Sequence, residues 1–151
     1  MANLTVITDF QSNDPQLPDT FPTIEAAINA ASPGDTIILG SGYGPEIATI
    51  TKNDITISGT SSSLGIGLHV ADGVLGLALT GDAPINVTTS LGDSYITGNT
   101  GDNVFTSTGG IDVFDGGLGI DQIVVDYRLT ASVVTGTMST IGSALGTVGI
   151  T

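Results

Sequence analysis

The sequence predicts an all-β protein built as a parallel solenoid, and three observations lead to this prediction. Glycine accounts for 22 of the 151 residues, aromatics for only 5%, and β-branched residues are plentiful. Short apolar stretches alternate with Gly, Asn, Asp or Ser at intervals too short for crossover helices. A nine-residue period over residues 89–124 is typical of solenoids.

The N-terminal region contains the one segment with a helical pattern. Leu4 to Thr8 is predicted to be a strand, and the proline-containing segment 9–22 a loop. Residues 23–31 place Ile24, Ala27, Ile28 and Ala31 on one apolar stripe, which predicts an amphipathic helix. The turn at 32–35 contains Pro and Gly, so the helix is expected to end there.

Strands and turns are predicted for the rest of the chain. Up to the repeat, the candidate strands are 36–39, 48–50, 55–58, 64–70, 74–79 and 85–88. This pattern alone fits either an antiparallel sandwich or a solenoid of short coils. The periodic region that follows favours the solenoid.

Charge and composition exclude several classes of function. The net charge is -13, and the acids are thirteen Asp and two Glu, so binding to nucleic acid or to anionic lipid is unfavourable. No apolar run is long enough to span a membrane, so no membrane insertion is expected. The absence of cysteine excludes disulfides and zinc–thiolate sites. Short Asp carboxylates suit turns and oxygen cages for hard cations.

Residues 89–124 divide without gaps into the nonapeptides TSLGDSYIT, GNTGDNVFT, STGGIDVFD and GGLGIDQIV. Position 4 is always glycine and position 8 is always large and apolar. The three residues around position 8 form a minimal strand with its middle side chain inward. The other six form a turn, where glycine adopts backbone angles that other residues avoid. Two nonapeptides therefore make one coil, and each turn stacks on the turn two nonapeptides away.

Stacked turns of this kind bring oxygen atoms together, and calcium takes six to eight oxygen ligands. At position 6 the stacking pairs Ser94 with Asp112 and Asn103 with Asp121. We therefore predict at most two calcium ions, with dissociation constants of roughly 10⁻⁴ to 10⁻³ M. The candidate ligands, through side-chain or backbone oxygens, are Ser94, Gly101, Asp102, Asn103, Gly110, Asp112, Gly119 and Asp121. The alternative is a metal-free solenoid whose Asp and Asn side chains bond to turn backbone.

These nonapeptides resemble the repeats-in-toxin (RTX) family, whose pattern is Gly-Gly-x-Gly-x-Asp-x-apolar-x. Residues 116–124 match the pattern in full, whereas the first two nonapeptides lack Asp at position 6. The resemblance implies calcium-dependent folding, an extracellular or cell-surface location, and export through a channel that reads a C-terminal signal. The N-terminus lacks a basic region and an apolar core, which agrees with export without an N-terminal signal peptide.

An earlier segment, 20–59, resembles the start of right-handed parallel β-helix proteins of the pectate-lyase-like type. The matching elements are the helix, the Gly-Asp-Thr-Ile strand at 34–37, the Ser-Gly-Tyr-Gly segment at 41–44 in the place of the family's Gly-x-Tyr turn, and the Ile-Ser-Gly strand end at 57–59. The resemblance implies a right-handed parallel solenoid whose open N-terminal end is capped by the helix.

We expect one domain over 1–151. Its parts are an N-terminal strand, loop and capping helix (1–35), β-helix coils (36–88), a calcium β-roll (89–126) and terminal strands (127–151). The tail has no charge after Arg128. One interpretation is that the chain is an N-terminal part of a longer protein. Another is that its open end pairs with a second copy, giving a homo-oligomer or filament.

Together these expectations describe a self-assembling, calcium-binding structural module of a secreted bacterial surface or extracellular-matrix protein. A calcium-dependent adhesin that binds extracellular polysaccharide is the first alternative, although sugar platforms favour aromatic residues, which are scarce here. A fragment of a polysaccharide lyase or epimerase is the second. Lys52 and Arg128 are far apart and His69 is the only histidine, so we predict no enzyme.

Overall fold

A computed structural model describes residues 1–7 and 19–125, together with the backbone of three short strands between 134 and 150. The predicted fold class is confirmed, because the chain forms a β-solenoid of about six coils from parallel sheets, with one short helix. Most of the predicted loop at 9–22 lies outside the described residues, as does Arg128. Right-handed winding stays a prediction, based on the general handedness of parallel crossovers.

Within the described residues, the regular structure consists of fifteen strands and one helix, α1 (Ile24–Ala30). The strands are β1 (Asn3–Val6), β2 (Thr20–Phe21), β3 (Thr36–Leu39), β4 (Glu46–Ile50), β5 (Ile55–Gly59), β6 (Ile66–Val70), β7 (Gly76–Gly81), β8 (Ile85–Thr88), β9 (Ser94–Thr97), β10 (Val104–Ser107), β11 (Ile111–Asp115), β12 (Gln122–Val125), β13 (Val134–Thr135), β14 (Ser139–Thr140) and β15 (Ala144–Ile150). From β3 to β12, odd-numbered strands stack in a first sheet and even-numbered strands in a second.

The length of a coil changes along the solenoid. Between β3 and β5, Thr36 pairs with Thr56, and between β5 and β7, Ile55 pairs with Leu77. From β9 to β11 and from β10 to β12 the pairing settles at 18 residues, as in Ser94 with Asp112. Eighteen residues are two nonapeptides, which confirms the predicted coil and the predicted stacking of alternate turns.

Inward-facing side chains fill the space between the two sheets. Three of the apolar residues at position 8 of the repeats, Ile96, Phe105 and Phe114, are 0% exposed. The two phenylalanine rings stack with their centroids 5.3 Å apart. The fourth, Ile123, lies in the last strand of the second sheet and is only partly buried against the core. The period of the sequence therefore predicts the core positions of the repeat.

Two strand arrangements differ from the sequence prediction. β2 lies within the segment predicted to be a loop and pairs in parallel with β1. β15 pairs with β11 but runs antiparallel to it, so the solenoid does not end in purely parallel strands. An antiparallel return satisfies the edge of β11 without the complete coil that a parallel strand requires. In the described part of the chain, no helix is long and apolar enough to cross a membrane.

The helix α1 covers the N-terminal end of the solenoid, as predicted, and polar contacts hold both of its ends. Thr23 accepts a hydrogen bond from the backbone N–H of Ala26 at 3.1 Å and forms the N-cap. Glu46, at the start of β4, accepts from the N–H of Ile24 at 3.0 Å. At the other end, Lys52 Nζ donates to the carbonyl oxygens of Asn29 at 2.7 Å and Ala31 at 2.5 Å.

These contacts place opposite charges where the helix dipole favours them, an acid at the N-terminus and a base at the C-terminus. Replacing Lys52 with Met keeps the length of the side chain but removes its charge and its donors. We expect Lys52→Met to lower the free energy of unfolding by roughly 1–2 kcal/mol, measured by urea denaturation. Lys52→Arg retains the charge and is the control. Equal stability of the Met variant and the native chain would show that Lys52 does not hold the cap.

Candidate metal centre

The candidate metal ligands lie at the two corners where the chain passes between the sheets. Turns 98–103 and 116–121 stack at one corner, which we call the Asp121 corner. Turns 89–94 and 107–112 stack at the other, the Asp112 corner. The Asp121 corner brings together the predicted ligands Gly101, Asp102, Asn103, Gly119 and Asp121. The Asp112 corner contains Ser94, Gly110 and Asp112.

Asp121 has one carboxylate oxygen that nothing in the described structure satisfies. Its Oδ1 accepts a hydrogen bond from the backbone N–H of Asn103 at 2.9 Å. Its Oδ2 is buried and has no hydrogen-bond partner. Asn103 is 1% exposed, and its Nδ2 donates to the carbonyl oxygen of Ile85 at 3.0 Å. A buried carboxylate oxygen without a donor is costly, so a proton or a cation at this oxygen would be stabilising.

Glycine at position 1 of both turns allows the stacked turns to approach closely at the Asp121 corner. A Cβ atom at Gly116 would stand 2.4 Å from Oδ2 of Asp121. A Cβ atom at Gly98 would stand 2.2 Å from the carbonyl oxygen of Gly116 and 2.9 Å from Oδ1 of Asn103. Real Cβ atoms do not approach oxygen so closely. Only glycine at these two positions therefore allows the stacked backbones and the polar side chains to converge.

Two predicted backbone ligands line the same corner. Gly119 has φ of +108°, and a Cβ atom there would stand 3.0 Å from the carbonyl oxygen of Gly101 and 3.1 Å from Oδ1 of Asp102. That Oδ1 accepts a hydrogen bond from the N–H of Ile120 at 2.8 Å. Asp102 is exposed, so its second carboxylate oxygen can face a cation that enters the corner from solvent.

The Asp121 corner is electrostatically negative. Burial raises the pKa of the Asp121 carboxyl, the Asn103 N–H opposes that shift, and the charges of Asp102 and Asp115 raise the pKa further. Among the described residues, however, no group of three or more His, Cys, Asp or Glu could hold a metal ion through side chains alone. A cation here would therefore also need backbone carbonyl oxygens, which calcium accepts readily.

The Asp112 corner has a different arrangement of partners. Asp112 is 0% exposed, and its Oδ2 accepts hydrogen bonds from Thr89 Oγ1 at 2.6 Å and Ser107 Oγ at 2.7 Å. Its Oδ1 is buried and has no hydrogen-bond partner in the part of the chain that the structure describes. Ser94, which stacks on Asp112, donates its hydroxyl to the carbonyl oxygen of Val74 at 3.4 Å. Burial raises the pKa of the Asp112 carboxyl, and the hydroxyls of Ser107 and Thr89 partly offset this.

The raised pKa of Asp112 predicts a pH dependence of stability in the absence of calcium. The folded chain retains a proton that the unfolded chain releases above its ordinary pKa of 3.8. The resulting stabilisation is complete below that pH and is lost as the pH rises through the raised pKa. Asn at this position does not titrate. In chelator, we expect Asp112→Asn to weaken the fall in unfolding free energy as the pH rises above 3.8. Identical pH profiles from urea denaturation would contradict this.

Several other turn acids accept hydrogen bonds from backbone amides of a neighbouring coil. Asp93 accepts from the N–H of Ile111 at 2.8 Å, and Asp82 from the N–H of Ser61 at 2.7 Å. Asp72 accepts from the N–H of Gly92 at 3.2 Å. The short Asp side chain suits this contact, which explains part of the excess of Asp over Glu. For these residues the structure favours the alternative in which turn acids serve the backbone.

Four residues at position 1 of the nonapeptides matter to these corners and were not among the predicted ligands. They are Thr89, Gly98, Ser107 and Gly116. Two hydroxyl residues lie at the Asp112 corner and two glycines at the Asp121 corner. The alternation is visible in the sequence, but only the stacking shows that the two residues of each kind share a corner.

Fold and corners together define a class: a parallel β-solenoid whose stacked turns bury carboxylate oxygens. Comparison with protein-family models, with curated proteins and with solved structures finds no match for the chain. The likeness to RTX repeats and to pectate-lyase-like proteins therefore rests on the motifs quoted above.

Proposed function

We propose that the chain is a calcium-binding structural module of a secreted bacterial surface or extracellular-matrix protein. The observation that carries the proposal is Oδ2 of Asp121, which is buried and has no hydrogen-bond partner among the described residues, at a corner where Gly98 and Gly116 let the stacked turns converge. Calcium would satisfy this oxygen and neutralise part of the negative charge around it.

The ligands proposed for this ion are the side chains of Asp121, Asn103 and Asp102, with backbone carbonyls of Gly101 and Gly119. Oxygen donors of both kinds match the preference of calcium, and no nitrogen or sulfur donor is required. Bound calcium would link two stacked turns, one coil apart, in a chain that has no disulfides. Binding only to the folded form would stabilise the coils by mass action.

A location outside the cell is proposed on the same basis. The RTX-like repeats imply export, and weak calcium sites fill where calcium is millimolar rather than in a cell interior where it is scarce. The turns would then stay loose before export and become ordered afterwards. The large negative charge fits this order of events, because self-repulsion opposes the compact state until cations bind.

Self-assembly is proposed from the edge of the second sheet. Within the described residues, β12 pairs with β10 and has no strand on its other side. An unpaired edge is a template for another chain. A second copy of this chain docking there would extend the solenoid into a homo-oligomer or filament.

The proposal predicts that calcium stabilises the chain measurably. For a dissociation constant of roughly 10⁻⁴ to 10⁻³ M, 10 mM calcium should raise the free energy of unfolding by about 1.4–2.7 kcal/mol. Urea denaturation followed by circular dichroism, in calcium and then in chelator, measures the difference. Light scattering during the same titration reports any assembly.

Asp121→Asn should remove most of this stabilisation. Asp82→Asn is the matched control, because Asp82 is an exposed turn acid that caps the N–H of Ser61, and Asn retains that acceptor. The proposal fails if the native chain unfolds at the same urea concentration in calcium and in chelator.

A second candidate function is binding of extracellular polysaccharide, and one observation favours it. A shallow groove of about 320 Å³ on the outer face of the first sheet is lined by Tyr95, Asp54, Thr56 and Thr97, among others. Tyr95 is 52% exposed there. An exposed ring beside hydroxyl and carboxylate groups suits a sugar. Saturable glycan binding that is lost in Tyr95→Ala would favour this alternative.

We propose no catalytic role. Lys52, one of the two basic side chains that a lyase mechanism would use, is bonded to the last carbonyls of α1 at the capped end. Turnover of uronate polymers by the purified chain would contradict this part of the proposal.

A further inference from the structure

We infer that the side chains of Thr89 and Ser107 close the Asp112 corner to calcium, so that the chain holds one ion, at the Asp121 corner. The claim of one ion at the Asp121 corner rests on the proposed function. The closure of the Asp112 corner does not. The sequence pattern treats the two corners as equivalent, since each stacks two turns and each has one Asp at position 6. Their contacts make them different.

The first difference is what occupies the space beside the position-6 carboxylate. At the Asp121 corner, Gly98 and Gly116 put no side-chain atom there. At the Asp112 corner, the equivalent positions are Thr89 and Ser107, whose hydroxyls both donate to Oδ2 of Asp112. The O–O distances of 2.6 and 2.7 Å are those of strong hydrogen bonds to a carboxyl group. Two O–H groups thus point their positive ends where a cation would bind.

The second difference is access. Asp112 and Ser107 are 0% exposed and Thr89 is 2% exposed, so the three side chains form a closed polar cluster inside the coil. At the Asp121 corner, Asp102 and Gly119 are exposed and Asp121 is only partly buried, although its Oδ2 is buried. An ion and its remaining water molecules can reach the second corner from solvent. At the first they would have to displace packed side chains.

The third difference is charge. Among the described residues, the charges of Asp102 and Asp115 raise the pKa of Asp121, and the charge of Asp93 raises the pKa of Asp112. The remaining position-6 partner at the Asp112 corner is Ser94, whose hydroxyl is bonded to a backbone carbonyl. A divalent ion gains less from one neighbouring carboxylate than from two. Oδ2 of Asp112 is therefore satisfied by two hydroxyl donors, and Oδ1, which has no hydrogen-bond partner among the described residues, is buried inside the same closed polar cluster.

The test counts calcium ions per chain by equilibrium dialysis on the native chain and on variants, with circular dichroism to verify folding. We expect one ion on the native chain, none on Asp121→Asn and one on Asp112→Asn. Thr89→Gly combined with Ser107→Gly recreates glycine at position 1 and should raise the count to two. Thr88→Gly combined with Thr106→Gly is the matched control. Thr88 and Thr106 pair with each other and directly precede Thr89 and Ser107 in the chain, but they are less buried.

The outcomes separate the inference from the proposed function. Two ions on the native chain, with one lost in Asp112→Asn, would overturn the inference and leave the calcium function intact. A folded Thr89→Gly, Ser107→Gly chain that gains no ion would also overturn it. No ion on the native chain but one on that double variant would support closure by the hydroxyls and refute the proposed function. If the double variant does not fold, Thr89→Ala alone, which removes one donor, should raise calcium affinity at this corner, and an unchanged count would count against closure.

Discussion

Phe114→Ala is expected to destabilise the chain by about 3–5 kcal/mol, which is among the largest effects of any single substitution here. Phe114 is 0% exposed and stacks on Phe105 of the adjacent strand of the other sheet, so its removal leaves a cavity between the sheets. Urea denaturation in excess calcium measures the loss.

Tyr95→Ala is the matched control for Phe114→Ala. Tyr95 lies on β9, beside Val113 of β11, and its ring is 52% exposed. Truncating it should cost less than about 1 kcal/mol, because little apolar area leaves the core. Similar losses in the two variants would mean that the rings between the sheets do not carry the stability of the repeat.

Gly81→Ala is expected to cost about 2–5 kcal/mol, through two separate terms. Gly81 has φ of +81°, a left-handed conformation that an L side chain resists by about 1–2 kcal/mol. A Cβ atom there would also stand 2.0 Å from the carbonyl oxygen of Gly59 in the coil below. That oxygen accepts hydrogen bonds from the N–H groups of Asp82 and Ala83, so pushing it away disturbs the stacked turn.

Gly73→Ala isolates the first of these terms. Gly73 has φ of +84°, close to that of Gly81, but a Cβ atom there would meet no atom within 4 Å. We therefore expect it to cost only about 1–2 kcal/mol. If both variants unfold at the same urea concentration, the close approach between Gly59 and Gly81 is not a source of stability.

The two corners show how far sequence reasoning reaches at the candidate site. The nonapeptide pattern predicts that Asn103 stacks on Asp121 and Ser94 on Asp112, and the strand register confirms both pairs. It treats Asp102 as a ligand without showing that one of its oxygens is already bonded to Ile120. Calcium binding itself stays a prediction, because spacing describes where oxygens meet but not which of them remain without a partner.

The cap shows the same limit in the fold. The apolar stripe predicts the helix and its place at the end of the solenoid, and α1 lies there. Its polar contacts to distant parts of the sequence come from Glu46 and Lys52, more than twenty residues further along the chain. Neither Glu46 nor Lys52 lies in a local sequence pattern that predicts a contact with the helix. The antiparallel course of β15 is likewise decided by which edge the chain meets after its last coil.

The sequence by itself determined the solenoid, the coil of two nonapeptides and the inward position of Ile96, Phe105 and Phe114. These follow from a local period, because a strand alternates its side chains and glycine opens its turns at fixed intervals. The tertiary structure alone decided that the hydroxyls of Thr89 and Ser107 meet Oδ2 of Asp112, whereas the donor that meets Asp121 in the described structure is the backbone N–H of Asn103. Those contacts join residues up to a coil or more apart, and a buried polar atom is satisfied only by what the folded chain brings within hydrogen-bonding distance.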